Sequence, residues 1–149
     1  MHFGPRRSAG AADHAGELEQ LAAKGNVRQK ASAGKMLLSL ERGDPQPKQY
    51  SAPVAVWQFG PDFTWVGLSG EVVADYVPLI EKAIGPLQLW ISAYCNDYFG
   101  YVPSARMLSE GGYETLGLFR ANGIFTAETE TVLVNKVREL SVQAGREVP

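Results

Sequence analysis

Apolar and polar positions follow two rhythms along this chain. From residue 13 to residue 42 apolar side chains recur at helical spacing, which predicts two short helices, 13–24 and 27–42, parted by Gly25-Asn26. Asn26 suits the start of the second helix, where a side-chain oxygen can accept from a free backbone N–H. Gly43 suits its end, because glycine adopts the left-handed turn that closes a helix. Within that helix Ala33, Met36, Leu37 and Leu40 share one face, apart from Arg28, Lys35 and Arg42. The stretch "GDPQPKQYSAP", 43–53, then breaks the pattern: its prolines forbid a regular ladder, and it reads as a linker.

Beyond it the pattern becomes that of strands. "VAVWQF" (54–59) and "FTWVGL" (63–68) are rich in β-branched and aromatic residues, and "GPD" between them is a tight turn, so they predict a hairpin. "SGEVVADYVPLIEKAIG" (69–85) returns to helical spacing through Val72, Tyr76, Ile80 and Ile84. Ser69 is placed to cap that helix, Gly85-Pro86 to end it, and Pro78 to kink it or stop it early. "LQLWISAY" (87–94) predicts a third strand, "SARMLSEGG" (104–112) one or two helical turns, and "YETLGLF" (113–119) a short strand. Thr126 is placed to cap a final helix, with Glu128 and Glu130 in its first turn and Leu133, Val137 and Leu140 as its buried stripe.

Strands alternating with helices predict an α/β fold, a layered mixed sheet with flanking helices. The expected organisation is a disordered N-terminal tail over 1–12, a helical segment over 13–43 and an α/β unit over 44–149. A sheet of so few strands is expected to be an incomplete domain. It would expose strand edges and an apolar face, which invites an oligomer or a partner chain.

Composition narrows the function. The chain has 149 residues, 45% hydrophobic and 20% charged, as in a soluble globular domain. A net charge of -2 gives no bulk electrostatic case for nucleic acid. Cys95 stands alone, which excludes an internal disulfide framework and a cysteine-based zinc cluster. No apolar run approaches the roughly 18 residues of a membrane span, and "MHFGPRRSAGAADHAG" has no apolar core of a signal peptide. Gly-rich phosphate loops, G-x-S-x-G and H-E-x-x-H are absent.

Candidate chemistry gathers in two places. Glu71 follows a predicted strand at the first turn of a predicted helix, where sites of open α/β sheets form. Its plainer role is to complement the helix dipole. The stretch "CNDYFGYVPSARMLSEGGYE", 95–114, also starts at a strand end and carries Tyr98, Tyr101 and Tyr113 among its glycines. Tyr101 either presents its hydroxyl to a site shared with Glu71 or packs on the loop with that hydroxyl bonded to backbone. Tyr113, after Gly111-Gly112, is a site aromatic or a core aromatic. Asn96 and Asp97 read as turn formers, with Asp97 as a general base the lesser alternative. Cys95 reads as a small buried hydrophobe. His2 and His14 have no ligand spacing.

Taken in order, "GLSGEVVADY" (67–76), an apolar strand and "NDYFGYVPSARMLSEGGYE" (96–114) resemble the neutral/alkaline non-lysosomal ceramidase family, and its bacterial ceramidase-like members most. "ELEQLAAKGNVRQKASAGKMLLSLERGD" (17–44) is similar to a helical insert of those bacterial proteins. The resemblance runs from Leu18 to Leu140 and covers the C-terminal part of the family's catalytic domain. It implies a zinc-dependent amidohydrolase that cleaves the amide bond of an N-acyl sphingoid base such as ceramide. It also implies that Glu71 and Tyr101 are metal ligands and Tyr113 a second active-site tyrosine. The family's two histidine ligands lie upstream of the matched region, and neither His2 nor His14 stands in a matching motif. The expectation is therefore a truncated form holding half of a zinc site, inactive or nearly so alone. A non-enzymatic α/β interaction module without metal is the alternative. Family members are often exported, which leaves the location open.

Overall fold

The computed structural model describes residues 2–3, 11–44, 50–85, 88–115 and 125–149. Strand β1 (His2–Phe3), inside the stretch expected to be a disordered tail, pairs antiparallel with β2 (Tyr50–Ser51). Between them lie α1 (Ala11–Lys24) and α2 (Val27–Glu41), the two predicted helices. The Lys30 N–H bonds the Asn26 carbonyl at 2.9 Å. Gly43 takes φ 70° and closes α2. The N–H groups of Gly43 and Asp44 reach back to Leu40 and Ser39, 3.0 Å each, and satisfy carbonyls that the helix leaves free. Leu18, Ala33 and Met36 are buried together, with Leu37 and Leu40 against them, as a small core of their own.

The main sheet is built from β3 (Val54–Phe59), β4 (Phe63–Leu68) and β6 (Leu89–Ser92), in the order β3-β4-β6. The predicted hairpin forms with Val54 opposite Leu68 and Phe59 opposite Phe63. Strand β6 joins β4 in parallel, Thr64 beside Leu89. One antiparallel and one parallel pairing make the sheet mixed, and flanking helices make the fold a layered α/β architecture without a closed barrel. Helix α3 (Tyr76–Ile84) is the crossover between the parallel strands.

The core lies on one face of this sheet. Val66 and Leu68 meet Tyr76, Ile80 and Ile84 of α3 and Leu133 and Val137 of α5 (Glu128–Gln143), all buried. Leu140, the third residue of the predicted stripe, is half-buried. Arg146, also buried, donates to the carbonyls of Ile84 and Gly85 at 2.8 Å each and to the Thr64 hydroxyl. Its cation sits at the C-terminal end of α3, where the helix dipole is negative.

Several local expectations are corrected. The helix over 69–85 starts only at Tyr76, and Glu71 lies in a two-residue strand, β5 (Glu71–Val72), not in a first helical turn. Ser69 caps nothing and donates its hydroxyl to the Pro53 carbonyl. Pro78 is the third residue of α3. Its missing N–H would have no intrahelical partner there, so it neither kinks nor ends the helix. The strand expected over 113–119 is a 3-10 turn across Tyr113–Thr115, and 116–119 lie outside the described residues. The last helix begins at Glu128 behind Ala127, one residue later than predicted.

Candidate functional site

The site is assembled by one glycine turn. Gly70 takes φ 76°, and a Cβ placed there would meet the Phe99 ring at 2.8 Å and the Gly100 carbonyl at 3.0 Å. With glycine in place, residues 94–101 wrap closely around the turn. Tyr94 N–H bonds the Gly70 carbonyl at 2.9 Å, Gly70 N–H the Asp97 carbonyl at 2.9 Å, and Glu71 N–H the Gly100 carbonyl at 2.8 Å. These bonds draw β5 alongside β7 (Tyr101–Val102) in parallel, with Glu71 the register partner of Tyr101. Adjacent positions in register put both side chains on one face of the pair.

There the hydroxyls of Tyr101 and Tyr94 both lie beside the Glu71 carboxylate, within reach of its charge. Both phenols are pushed up, first because their neutral forms donate to that carboxylate, then by partial desolvation and the nearby negative charge. Tyr94 rises to about 12. The Tyr113 ring stands edge-on to Tyr101, centroids 5.7 Å apart, and Glu114 adds to the negative field at Tyr101. Tyr113, at 39% exposed, is not a core residue.

Neighbouring side chains hold this cluster. Asp97 accepts from the Tyr50 hydroxyl at 2.7 Å and from Tyr98 N–H at 2.8 Å, which makes it a loop staple. Phe99 is fully buried between Tyr50 and Phe125. Downstream, Ser104 caps α4 (Ala105–Glu110) by accepting from Met107 N–H, and donates to Asp75 at 2.6 Å. Arg106 bridges Asp75 and Glu110 at 2.9 and 2.6 Å. The Arg106 guanidinium, then the Ser104 hydroxyl, hold the Asp75 carboxyl below its usual range.

Glu71, Tyr101 and Tyr113 are therefore neighbours in the fold. Tyr94 was missed. Its signal was its place at the end of a predicted strand, the same position that recommended the following loop, and it adopts φ 61°, a conformation few non-glycine residues take. Gly70 was missed as well. Cys95 is half-buried, its thiol directed at the carbonyls of Ser92 and Ala93.

Glu71 and Tyr101 offer one carboxylate and one phenol oxygen. They fit the oxygen-donor half of a zinc site and not its imidazole half. His2 lies on β1 and His14 on α1. Among the described residues, no group of three or more His, Cys, Asp or Glu could hold a metal ion. No helix among them is long and apolar enough to cross a membrane. No family model, curated protein or solved structure matches this chain.

Proposed function

We propose that this chain carries the glutamate–tyrosine half of a zinc-dependent amidohydrolase site of the neutral ceramidase type, acting on an N-acyl amide such as ceramide. The observation that carries it is the register pairing of Glu71 with Tyr101, with Tyr113 edge-on beside them. Glu71 and Tyr101 are two of the metal's donors, and two imidazoles complete the set from outside the motifs matched here. Bound zinc would lower the pKa of a coordinated water to about 7 and make it the nucleophile.

The chain's own residues prepare for this. Tyr101 keeps its phenol proton while no cation is near, because the Glu71 anion beside it disfavours a phenolate. A bound cation would reverse that preference: the phenol proton would go to solvent and the phenolate oxygen would serve as a donor. Tyr94 lies beside the same carboxylate, which raises its phenol as well. Tyr113, edge-on to Tyr101, would offer its hydroxyl to the amide oxygen as that oxygen becomes negative.

Zinc titration of the purified chain, with Glu71→Ala and Tyr101→Phe beside it, tests this reading. The expected result is weak uptake that both variants reduce at least tenfold, with little amidase activity until imidazole donors are supplied. Uptake indifferent to both variants would sink it.

A second reading is favoured by the small three-stranded sheet, in which β3 and β6 are the outer strands: a non-enzymatic interaction module that joins an oligomer or partner chain through an exposed sheet edge. Its mark is a cooperatively folded chain that takes up no zinc at any concentration tested.

A further inference from the structure

All three tryptophans of the chain lie on the side of the main sheet turned away from α3 and α5. Trp57 faces Trp65 across the antiparallel pair, and Trp65 is the register partner of Trp90 in the parallel pair. One row of indoles therefore crosses β3, β4 and β6. Phe59 and Phe63, directly opposite each other, extend it toward the hairpin turn. The rings pack on one another, Trp57 on Trp65 at 5.0 Å and Phe59 on Phe63 at 5.6 Å. Gly67 leaves room for this: a Cβ there would meet the Trp57 ring at 3.1 Å. The row nevertheless stays bare, with Trp57 42%, Trp65 38%, Trp90 65% and Phe59 53% exposed.

We infer that this aromatic row is a docking face for a second copy of the same chain, packed face to face about a two-fold axis. Three observations select that occupant. No residue of the row carries a charge, so two copies meet without like-charge repulsion or stranded ions. The Trp65 indole N–H already donates to the Ser92 hydroxyl at 2.9 Å, so covering it strands no donor. The area also suffices. At about 150–250 Å2 per aromatic side chain, the exposed fractions amount to roughly 300–500 Å2, within the range of the largest patch on a monomer surface. Two copies would bury roughly 600–1,000 Å2 of aromatic surface, and a polar rim would supply the rest of the ~1,200 Å2 of a specific interface. Sheets stacked this way lie about 10 Å apart, with their strands within about 30° of each other. An arrangement through the edges of β3 or β6 would leave the row uncovered.

Because the row holds every tryptophan in the chain, intrinsic fluorescence reports on this face alone. The experiment is sedimentation equilibrium of the full chain over a dilution series, with tryptophan emission and acrylamide quenching on the same samples. A dimer mass is expected, with emission that reddens and quenching that rises on dilution. Trp90→Glu should weaken association by roughly 30-fold or more, as for a central aromatic anchor. Phe59→Glu should weaken it too, and both variants should keep the parent's circular dichroism and melting as monomers. A monomer mass up to about 0.2 mM, where even ~-5 kcal/mol of association would register, overturns the proposal. So does a dimer whose emission ignores dilution and whose mass survives both substitutions, because that dimer uses another surface.

Discussion

Two regions of this molecule are unusually aromatic, and they are built on opposite terms. In the loop from Tyr94 to Tyr101 the rings are anchored. Phe99 is wedged between Tyr50 and Phe125, Tyr94 and Tyr101 end on the Glu71 carboxylate, and backbone bonds to Gly70 and Glu71 fasten the chain behind them. On the open side of the sheet, Trp57 packs on Trp65, and these two and Trp90 stay 38–65% exposed. Phenols gathered on a charge make a place where a cation or a proton can be handled. Indoles, which carry no charge themselves, make a surface whose free energy falls when it is covered. Aromatic content is shared by the two regions, and the polar end of the ring separates them.

Substitution at the two regions should differ most in stability. Phe99→Ala removes a fully buried ring and should cost about 3–5 kcal/mol, whereas Trp90→Ala, measured where the chain is monomeric, should stay within about 0.5 kcal/mol. Urea unfolding of both variants checks this, and equal losses would erase the contrast. Gly70→Ala comes next, at about 1–3 kcal/mol, because alanine resists φ 76° and its Cβ would press on Phe99. The same variant should disturb the phenol cluster, seen as a changed near-ultraviolet tyrosine signal, and leave the tryptophan emission alone.

A pH effect of smaller size belongs to the anchored region. The Asp75 carboxyl is held below its ordinary 3.8 by Arg106 and Ser104. A depressed folded-state value means that the stabilisation is full above about pH 4 and lost as pH falls through the depressed value. Unfolding midpoints between about pH 2 and 6 should show the advantage of wild type over Asp75→Asn shrinking in acid. A gap independent of pH would contradict the Arg106–Asp75 contact.

The smallest effect is spectroscopic. Tyr94 titrates at about 12 because Glu71 holds its neutral form. Its raised value means that any stabilisation it provides is complete below about pH 10 and disappears as pH rises toward 12. Alkaline absorbance titration should lose one late phenol in Tyr94→Phe. In Glu71→Gln the Tyr94 and Tyr101 steps should both move down toward 10. Unchanged late steps in Glu71→Gln would remove Glu71 from the cluster.

Local pattern was enough for much of the fold. The hairpin over 54–68, the turns at Asn26 and Gly43, the stripe of Tyr76, Ile80 and Ile84, and Leu133 and Val137 of the last helix each depend on neighbours within a turn or two. The sequence also pointed to Glu71, Tyr101 and Tyr113 as a set, although it placed Glu71 on a helix. That placement failed because the partner of Glu71 in the ladder is thirty positions away. Helical spacing through Val72 looked intact until a distant strand claimed its backbone.

The sequence by itself determined most of the longer strands and helices, which residues are oily, and which carry oxygen donors, because those properties belong to a residue and its near neighbours. Tertiary structure alone decided that Tyr94 shares the carboxylate with Tyr101, that Gly70 is the position where two segments nearly touch, and that one side of the sheet stays bare. Alternation along a strand tells two faces apart, but both faces of β4 are apolar. Which one is buried depends on where α3 and α5 pack, and that is a contest of whole surfaces for burial.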